Sequence, residues 1–169
     1  MKKSILFAGV VLSSALLLTA CSDSSSTDTS SKDKTSKTAT SKKAPEFKKV
    51  GDTGEINGVK YTLKNVTTVQ DRNEYSDTKP KNVIKVEYAI QNDSKEEISV
   101  GMDLEVYGPD NKKLESYPLD NSMDSLAAGK AYDAVQFFGT DNLGEFELQF
   151  SPIVDFSGKT LKFKATVNQ

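Results

Sequence analysis

The side chains that could do chemistry in this chain are few, and most of them offer oxygen rather than nitrogen or sulfur. Histidine and tryptophan are absent, and Cys21 is the single cysteine of 169 residues. Without imidazole there is no side chain that titrates near neutrality unaided, no serine–histidine–aspartate arrangement and no zinc site built on histidine. One cysteine makes neither an internal disulfide nor a CxxC pair. Among the acids, "DNSMD" (120–124) gathers the carboxylates of Asp120 and Asp124 with an amide and a hydroxyl, donors of the kind calcium takes. It lacks a glycine for the sharp turn and a well-placed bidentate glutamate, so a solvated acidic loop is the favoured reading and no metal is expected. "DRNEYSDTKPKN" (71–82) is long and polar, and Arg72 with Tyr75 forms a candidate contact pair of types that concentrate binding energy. A mobile connection with no partner competes with that reading.

Two further constellations carry less. Tyr61, Tyr88, Tyr107, Tyr117 and Tyr132, with Phe137 and Phe138, could line a groove, although their strand-like spacing favours the core. Phe137 and Phe138 are adjacent and point to opposite faces of a strand, so if one is inward the other is exposed or covered by a loop. Paired carboxylates can hydrolyse bonds, but Glu96 and Glu97 face opposite ways on a strand. A serine–lysine pair needs a desolvated lysine that no spacing selects. An enzyme is not expected.

The position of the lone cysteine is informative. Lys2 and Lys3 precede an apolar run from 5 to 18 broken only by Ser13 and Ser14, too short and too abruptly ended for a membrane span. Residues 1–20 read as a secretory signal. "LTAC" (18–21) then resembles the lipobox of bacterial lipoproteins. The resemblance implies cleavage between Ala20 and Cys21 and a diacylglycerol on the Cys21 thiol, with the protein held on the extracellular face of the cell membrane. Acyl chains anchor at about 0.8 kcal/mol per buried methylene, and two or more hold stably.

After the cysteine the composition shifts. Thirteen of the 23 residues from 22 to 44 are serine or threonine, and no aromatic lies between Cys21 and Phe47. Such a segment buries too little apolar surface to offset its ordering entropy, so 21–49 is expected to be a disordered tether, about 30 Å end to end as a flexible coil. Residues 22–49 carry seven lysines against four acids, while 50–169 carry thirteen Lys/Arg against twenty Asp/Glu. An acidic domain on a basic stalk excludes nucleic acid as the expected partner.

From Val50 onward apolar residues alternate. Ile84, Val86, Tyr88 and Ile90 form one series, Ile98, Val100, Met102, Leu104 and Val106 another. Phe146, Leu148 and Phe150 form a third, and Leu161, Phe163, Ala165 and Val167 a fourth. Period two marks strands with one buried face. Asn57-Gly58 suits a tight hairpin, the stretches around 92–94 and 109–111 are turns, and the alternation fails after Leu63, which predicts a bulge or an edge. Seven to eight strands without helical crossovers predict an all-β, antiparallel β-sandwich over 50–169.

This part resembles the immunoglobulin-like domain common in lipoproteins of Gram-positive bacteria, a family without an assigned function that is sometimes mislabelled as a telomeric-repeat-binding factor. The resemblance lies in "VGDTGEINGVKYTLKNV", "NVIKVEYAIQNDSKEEISVGMDLEVYGPDNKKLESYP" and "LAAGKAYDAVQFFGTDNLGEFELQFSP". Ala128-Gly129 stands where the family has Pro-Gly, and the hairpin tip at Asp110-Asn111 lacks glycine. The resemblance implies the sandwich and an exported location, and it brings no catalytic residues and no cofactor. The expected function is a non-catalytic binding module that engages an envelope protein, peptide or wall component, with the membrane as partner through Cys21. A carrier of a small apolar ligand between the sheets is the alternative, and a hydrolase working without histidine is a more distant one.

Overall fold

The computed structural model describes residues 46–153 and 158–168. The signal segment, the cleavage position at Ala20 and Cys21, and tether residues 21–45 lie outside them. Ten strands follow one another: β1 (Lys48–Lys49), β2 (Thr53–Ile56), β3 (Val59–Val69), β4 (Asn82–Asn92), β5 (Ile98–Val100), β6 (Leu104–Tyr107), β7 (Asp124–Leu126), β8 (Ala131–Thr140), β9 (Gly144–Phe150) and β10 (Leu161–Val167). No helix interrupts them among the described residues.

The strands form a two-layer sandwich. One sheet has the order β1-β10-β9-β6 and the other β2-β3-β4-β8, with β5 and β7 paired as a separate ribbon. Eight strands therefore build the layers, at the upper end of the seven to eight expected, and the ribbon brings the total to ten. One pair departs from the antiparallel expectation: β1 runs parallel to β10, with Lys48 opposite Phe163 and Lys49 opposite Lys164. These two lysines read as the end of the tether, yet the sandwich recruits them. The Phe47 ring lies 4.7 Å from the Lys164 ammonium, near enough for a cation–π contact that helps to seat the strand.

Behind β1 and β2, β3-β4-β8 faces β10-β9-β6. The free edge of β8 is bonded by the segment 115–122, with Tyr117 N–H donating to Phe137 O at 2.7 Å and Ser122 N–H to Val135 O at 2.8 Å. That segment occupies the place of strand D, giving the ABED-against-GFC order of an immunoglobulin-like fold. It also covers a sheet edge that would otherwise invite pairing. The edge of β6 is closed in the same way by its own hairpin, through Leu114 N–H to Val106 O at 2.8 Å.

Alternation is what buries the core. Ile84, Val86, Tyr88 and Ile90 point inward from β4, and Phe146, Leu148 and Phe150 from β9. Rings fill the space between the layers: Phe150 stacks on Tyr61 with centroids 4.8 Å apart and meets Phe163 edge-on at 5.4 Å. The hairpin at Asn57-Gly58 has φ of 51° and 77°, the positive pair that a two-residue turn of this hand requires. The register of β3 on β4 shifts between Leu63 and Asn65, the bulge that the lost alternation predicted.

One strand is not as its pattern suggests. The run from Ile98 to Val106 breaks between β5 and β6, where the chain leaves the ribbon and joins the other sheet. Gly101 turns the corner with φ of 95°, a conformation side chains disfavour. At the two residues beyond it the inside–outside sense is reversed, before Leu104 and Val106 resume it. Met102 is 67% exposed and Asp103 only 2% exposed, the reverse of the alternating series.

Strand directions give the sandwich two poles. β10 starts at Leu161 opposite Phe150 and ends at Val167 opposite Gly144. Since β1 runs parallel to β10, the chain comes in at the Leu161 pole. β4, with eleven residues, spans about 35 Å. At its far end Asn82 lies opposite Thr140, and there the loops 70–81, 108–113 and 141–143 meet.

Candidate binding groove

That far pole holds an open groove of about 620 Å³, lined by 78–80, Asp110, 112–117 and 139–142. Three connections far apart in the sequence make its walls, and hydrogen bonds fix each. The turn between β8 and β9 receives the loop 70–81 through Lys81 N–H, which donates to Asp141 Oδ1 at 3.1 Å. Pro80 closes against the backbone at Gly139, where an added Cβ would lie 2.9 Å from the proline ring. The hairpin tip carries Asn111 with φ of 60°, so asparagine takes the positive φ that glycine more often supplies.

The loop 70–81 is an organised connection. Arg72 spends its guanidinium on three carbonyls, with Nη1 donating to Val69 O and Asp71 O at 2.9 Å and Nη2 to Lys81 O at 3.3 Å. The two strand ends are thereby held together. Asn73 N–H donates to the Tyr117 hydroxyl at 3.0 Å, and its amide to Pro118 O at 2.7 Å. Tyr75, whose N–H is held by Asn73 Oδ1 at 2.9 Å, is 93% exposed. The candidate contact pair thus splits: Arg72 braces the loop and Tyr75 presents a ring to solvent, and neither lines the groove.

The groove carries charge of both signs. Lys79, Lys112 and Lys113 share its walls with Asp110, Glu115 and Asp141. The backbone N–H and ammonium of Lys112 hold the Asp110 carboxyl below its ordinary range. Lys113 pairs with Glu105 at 2.5 Å and does the same there. Leu114, Pro80 and the buried Tyr117 add an apolar element. Such a lining suits a mixed polar and apolar segment better than a polyanion.

The other candidates fall elsewhere. In 120–124, Asn121 Oδ1 accepts Phe137 N–H at 2.7 Å and Ser122 Oγ accepts Val135 N–H at 2.9 Å. The amide and hydroxyl of that loop thus fasten it to β8, and among the described residues no acid cluster of metal-holding geometry is present. Phe137 and Phe138 do face opposite ways. Phe138 joins the interior, while Phe137 packs with Val83 and Tyr117 in a second cluster on the outer face under 115–122. Tyr61 and Tyr88 are interior, Tyr107 bonds Glu105 at 3.0 Å on the outer face, and Tyr132 packs at the margin of the core. A ligand carried between the sheets would have to displace the stacked rings, so the aromatic content that motivated a carrier is used in packing.

No family model matches the chain, and no curated protein matches it. Solved structures do. The chain is similar to the ycdA protein of Bacillus subtilis, described as a candidate lipoprotein, at 22% identity and a TM-score of 0.57 over 68% of this chain and 38% of that one. It is similar to the yjhA protein of Bacillus subtilis at 15% identity and a TM-score of 0.51, covering 71% of this chain and 98% of that one. It is also similar to the secreted protein MPT63 of Mycobacterium tuberculosis at 7% identity and a TM-score of 0.53, covering 73% and 98%. The fold is shared at these identities. The match spans well under half of the ycdA chain.

Proposed function

We propose that this chain is a lipid-anchored envelope protein whose sandwich is a non-catalytic binding module, and that the groove between 78–80, 112–117 and 139–142 is its binding face. One observation carries the reading: three loops, each fixed by its own hydrogen bonds, converge on a roughly 620 Å³ groove at the pole opposite the incoming chain. Loops held by a rigid scaffold are where binding residues collect. The lipobox at 18–21 and the names of two fold neighbours, a lipoprotein and a secreted protein, support an address outside the cell. An anchor on Cys21 would then hold the module where the groove can meet a partner in the envelope such as a protein, peptide or wall component. With two sheet edges covered, the groove is a better binding face than strand addition.

Two measurements test the two halves separately. Intact-mass analysis of the native protein finds the leader removed before Cys21 and a diacylglycerol on its sulfur; an unmodified thiol would refute the anchor. A photo-crosslinking side chain in place of Glu115 gives a discrete envelope adduct, and the same side chain in place of Lys95, exposed at the other pole, does not. Equal adducts from both positions would remove the groove from the account.

A further inference from the structure

The charged side chains along the groove are not equally engaged. Each of its lysines has an acceptor within the protein. Lys79 Nζ donates to Glu74 O at 3.2 Å, Lys112 pairs with Asp110 at 3.4 Å, and Lys113 pairs with Glu105 at 2.5 Å. Two acids of the lining are less committed. Asp141 accepts the Lys81 N–H on Oδ1 alone. Glu115 contributes only its backbone carbonyl, which takes the Gly139 N–H at 3.2 Å, and its carboxylate meets no cation among the described residues. What the groove has left over is therefore negative charge, on a domain that holds thirteen Lys/Arg against twenty Asp/Glu over 50–169.

The edge of β8 sets the spacing of these two acids. Glu115 is bonded to Gly139, and Asp141 follows two residues further along the chain, about 7 Å on at the rise of a strand. Beside them the wall is apolar. The Pro80 and Tyr117 rings both close on Gly139, at 2.9 and 3.7 Å from where a Cβ would stand, and the half-buried Leu114 joins them. An aliphatic stem with a cationic tip matches such a wall, and lysine and arginine side chains are built that way. A sugar ring stacks its C–H face on an open aromatic face, but the Tyr117 ring of this lining is only 1% exposed. A polyanion would meet the two carboxylates.

Building on the groove as the binding face, we propose that it takes a lysine- or arginine-bearing segment of a partner polypeptide, whose cationic tip is received by Glu115 and Asp141. The stem of that side chain lies along Pro80 and Leu114. Asp141 then serves twice, holding the loop 70–81 through Oδ1 and offering Oδ2 to the ligand. Both contacts are open to water, so each adds modestly to affinity. The acidic surface around them steers a cationic segment inward and makes its capture sensitive to salt.

The test is an NMR titration of the full chain in detergent with three probes: capped Ala-Lys-Ala, capped Ala-Glu-Ala and an N-acetylglucosamine oligomer. The lysine peptide should shift the backbone signals of 114–117 and 139–142, and the other two should not. Glu115→Gln and Asp141→Asn, the second of which keeps an acceptor for Lys81, should each weaken the lysine peptide about threefold and together about tenfold. Glu96→Gln, exposed at the other pole, should leave its affinity unchanged. Absence of groove shifts with the lysine peptide, equal shifts with the glutamate peptide or the saccharide, or undiminished affinity in the double variant would overturn the proposal. Whether the groove is the binding face at all is decided apart from this, by the photo-crosslinking: the protein crosslinked from position 115 retains Asp141, so its adduct still reports occupancy.

Discussion

Asp103 lies in the corner just before β6 and Glu147 on the neighbouring β9, and the molecule treats the same chemical group in opposite ways. Asp103 turns inward beside Tyr88, and burial raises its carboxyl above its ordinary range against the hydrogen bonds that lower it. Glu147 points outward, where Lys162 reaches it at 2.8 Å and Gln149 at 2.7 Å. Partial burial would push the Glu147 carboxyl up, but these bonds outweigh it and hold it below its ordinary range. A depressed carboxyl contributes stability present above its unfolded value and lost as pH falls through the folded one; a raised one contributes stability present below its unfolded value and lost as pH rises through the folded one. The corner therefore weakens toward alkali and the outer ladder toward acid. What differs is a cation within reach and water on one side, not the residue type.

The largest way to break this contrast is to remove the wall that keeps the corner dry. Phe150→Ala takes out the ring shared by Tyr61, Tyr88 and Phe163. It should cost about 3–5 kcal/mol in urea unfolding, and where the variant still folds its pH dependence should flatten as water enters. Gly101→Ala comes next. A Cβ there would lie 2.0 Å from Ser122 O, on a residue with φ of 95°. Backbone strain alone costs about 1–3 kcal/mol, read as a lower melting temperature, with the corner displaced.

Tyr117→Phe offers a middle case, a tyrosine hydroxyl that is satisfied. It leaves Asn73 N–H without its acceptor. The expected loss is about 1 kcal/mol, with faster hydrogen exchange confined to 70–81 and no change in pH profile. A pH effect as large as that at Asp103 would erase the distinction between the two regions. The smallest effect is Glu147→Gln, under about 1 kcal/mol at pH 7 because the pair is only partly shielded from water, and shrinking as pH falls below the carboxyl's unfolded value. An effect that grew on acidification would contradict the sign.

The same contrast explains what sequence could and could not reveal. Strands whose faces differ cleanly were legible: β4, β9 and β10 alternate as their neighbours require, and the bulge after Leu63 announced itself by a lost beat. The corner was not, because Ile98, Val100, Met102, Leu104 and Val106 keep perfect time through it. Period two has no sensitivity to a change of sheet, and only Gly101 before an acid hinted at one. The groove was hidden for a different reason. Its walls come from three loops spread over more than sixty residues of the chain, and pairing register brings them together. Arg72 was singled out as a contact, but its geometry makes it a brace. Residues 120–124 read as a solvated acidic loop, and nothing in that reading showed that Asn121 and Ser122 accept the N–H groups of Phe137 and Val135 on β8.

The two residue pairs that join β1 to β10 carry a mechanical meaning if the chain is moored at one pole and gripped at the other. Tension along the strand axis reaches this short parallel contact first, long before the ten paired positions of β3 on β4 feel it. Forced separation is governed by how fast the weakest contact opens. Lys48 and Lys49 would peel away and lengthen the leash by a few ångströms, leaving the gripped end intact.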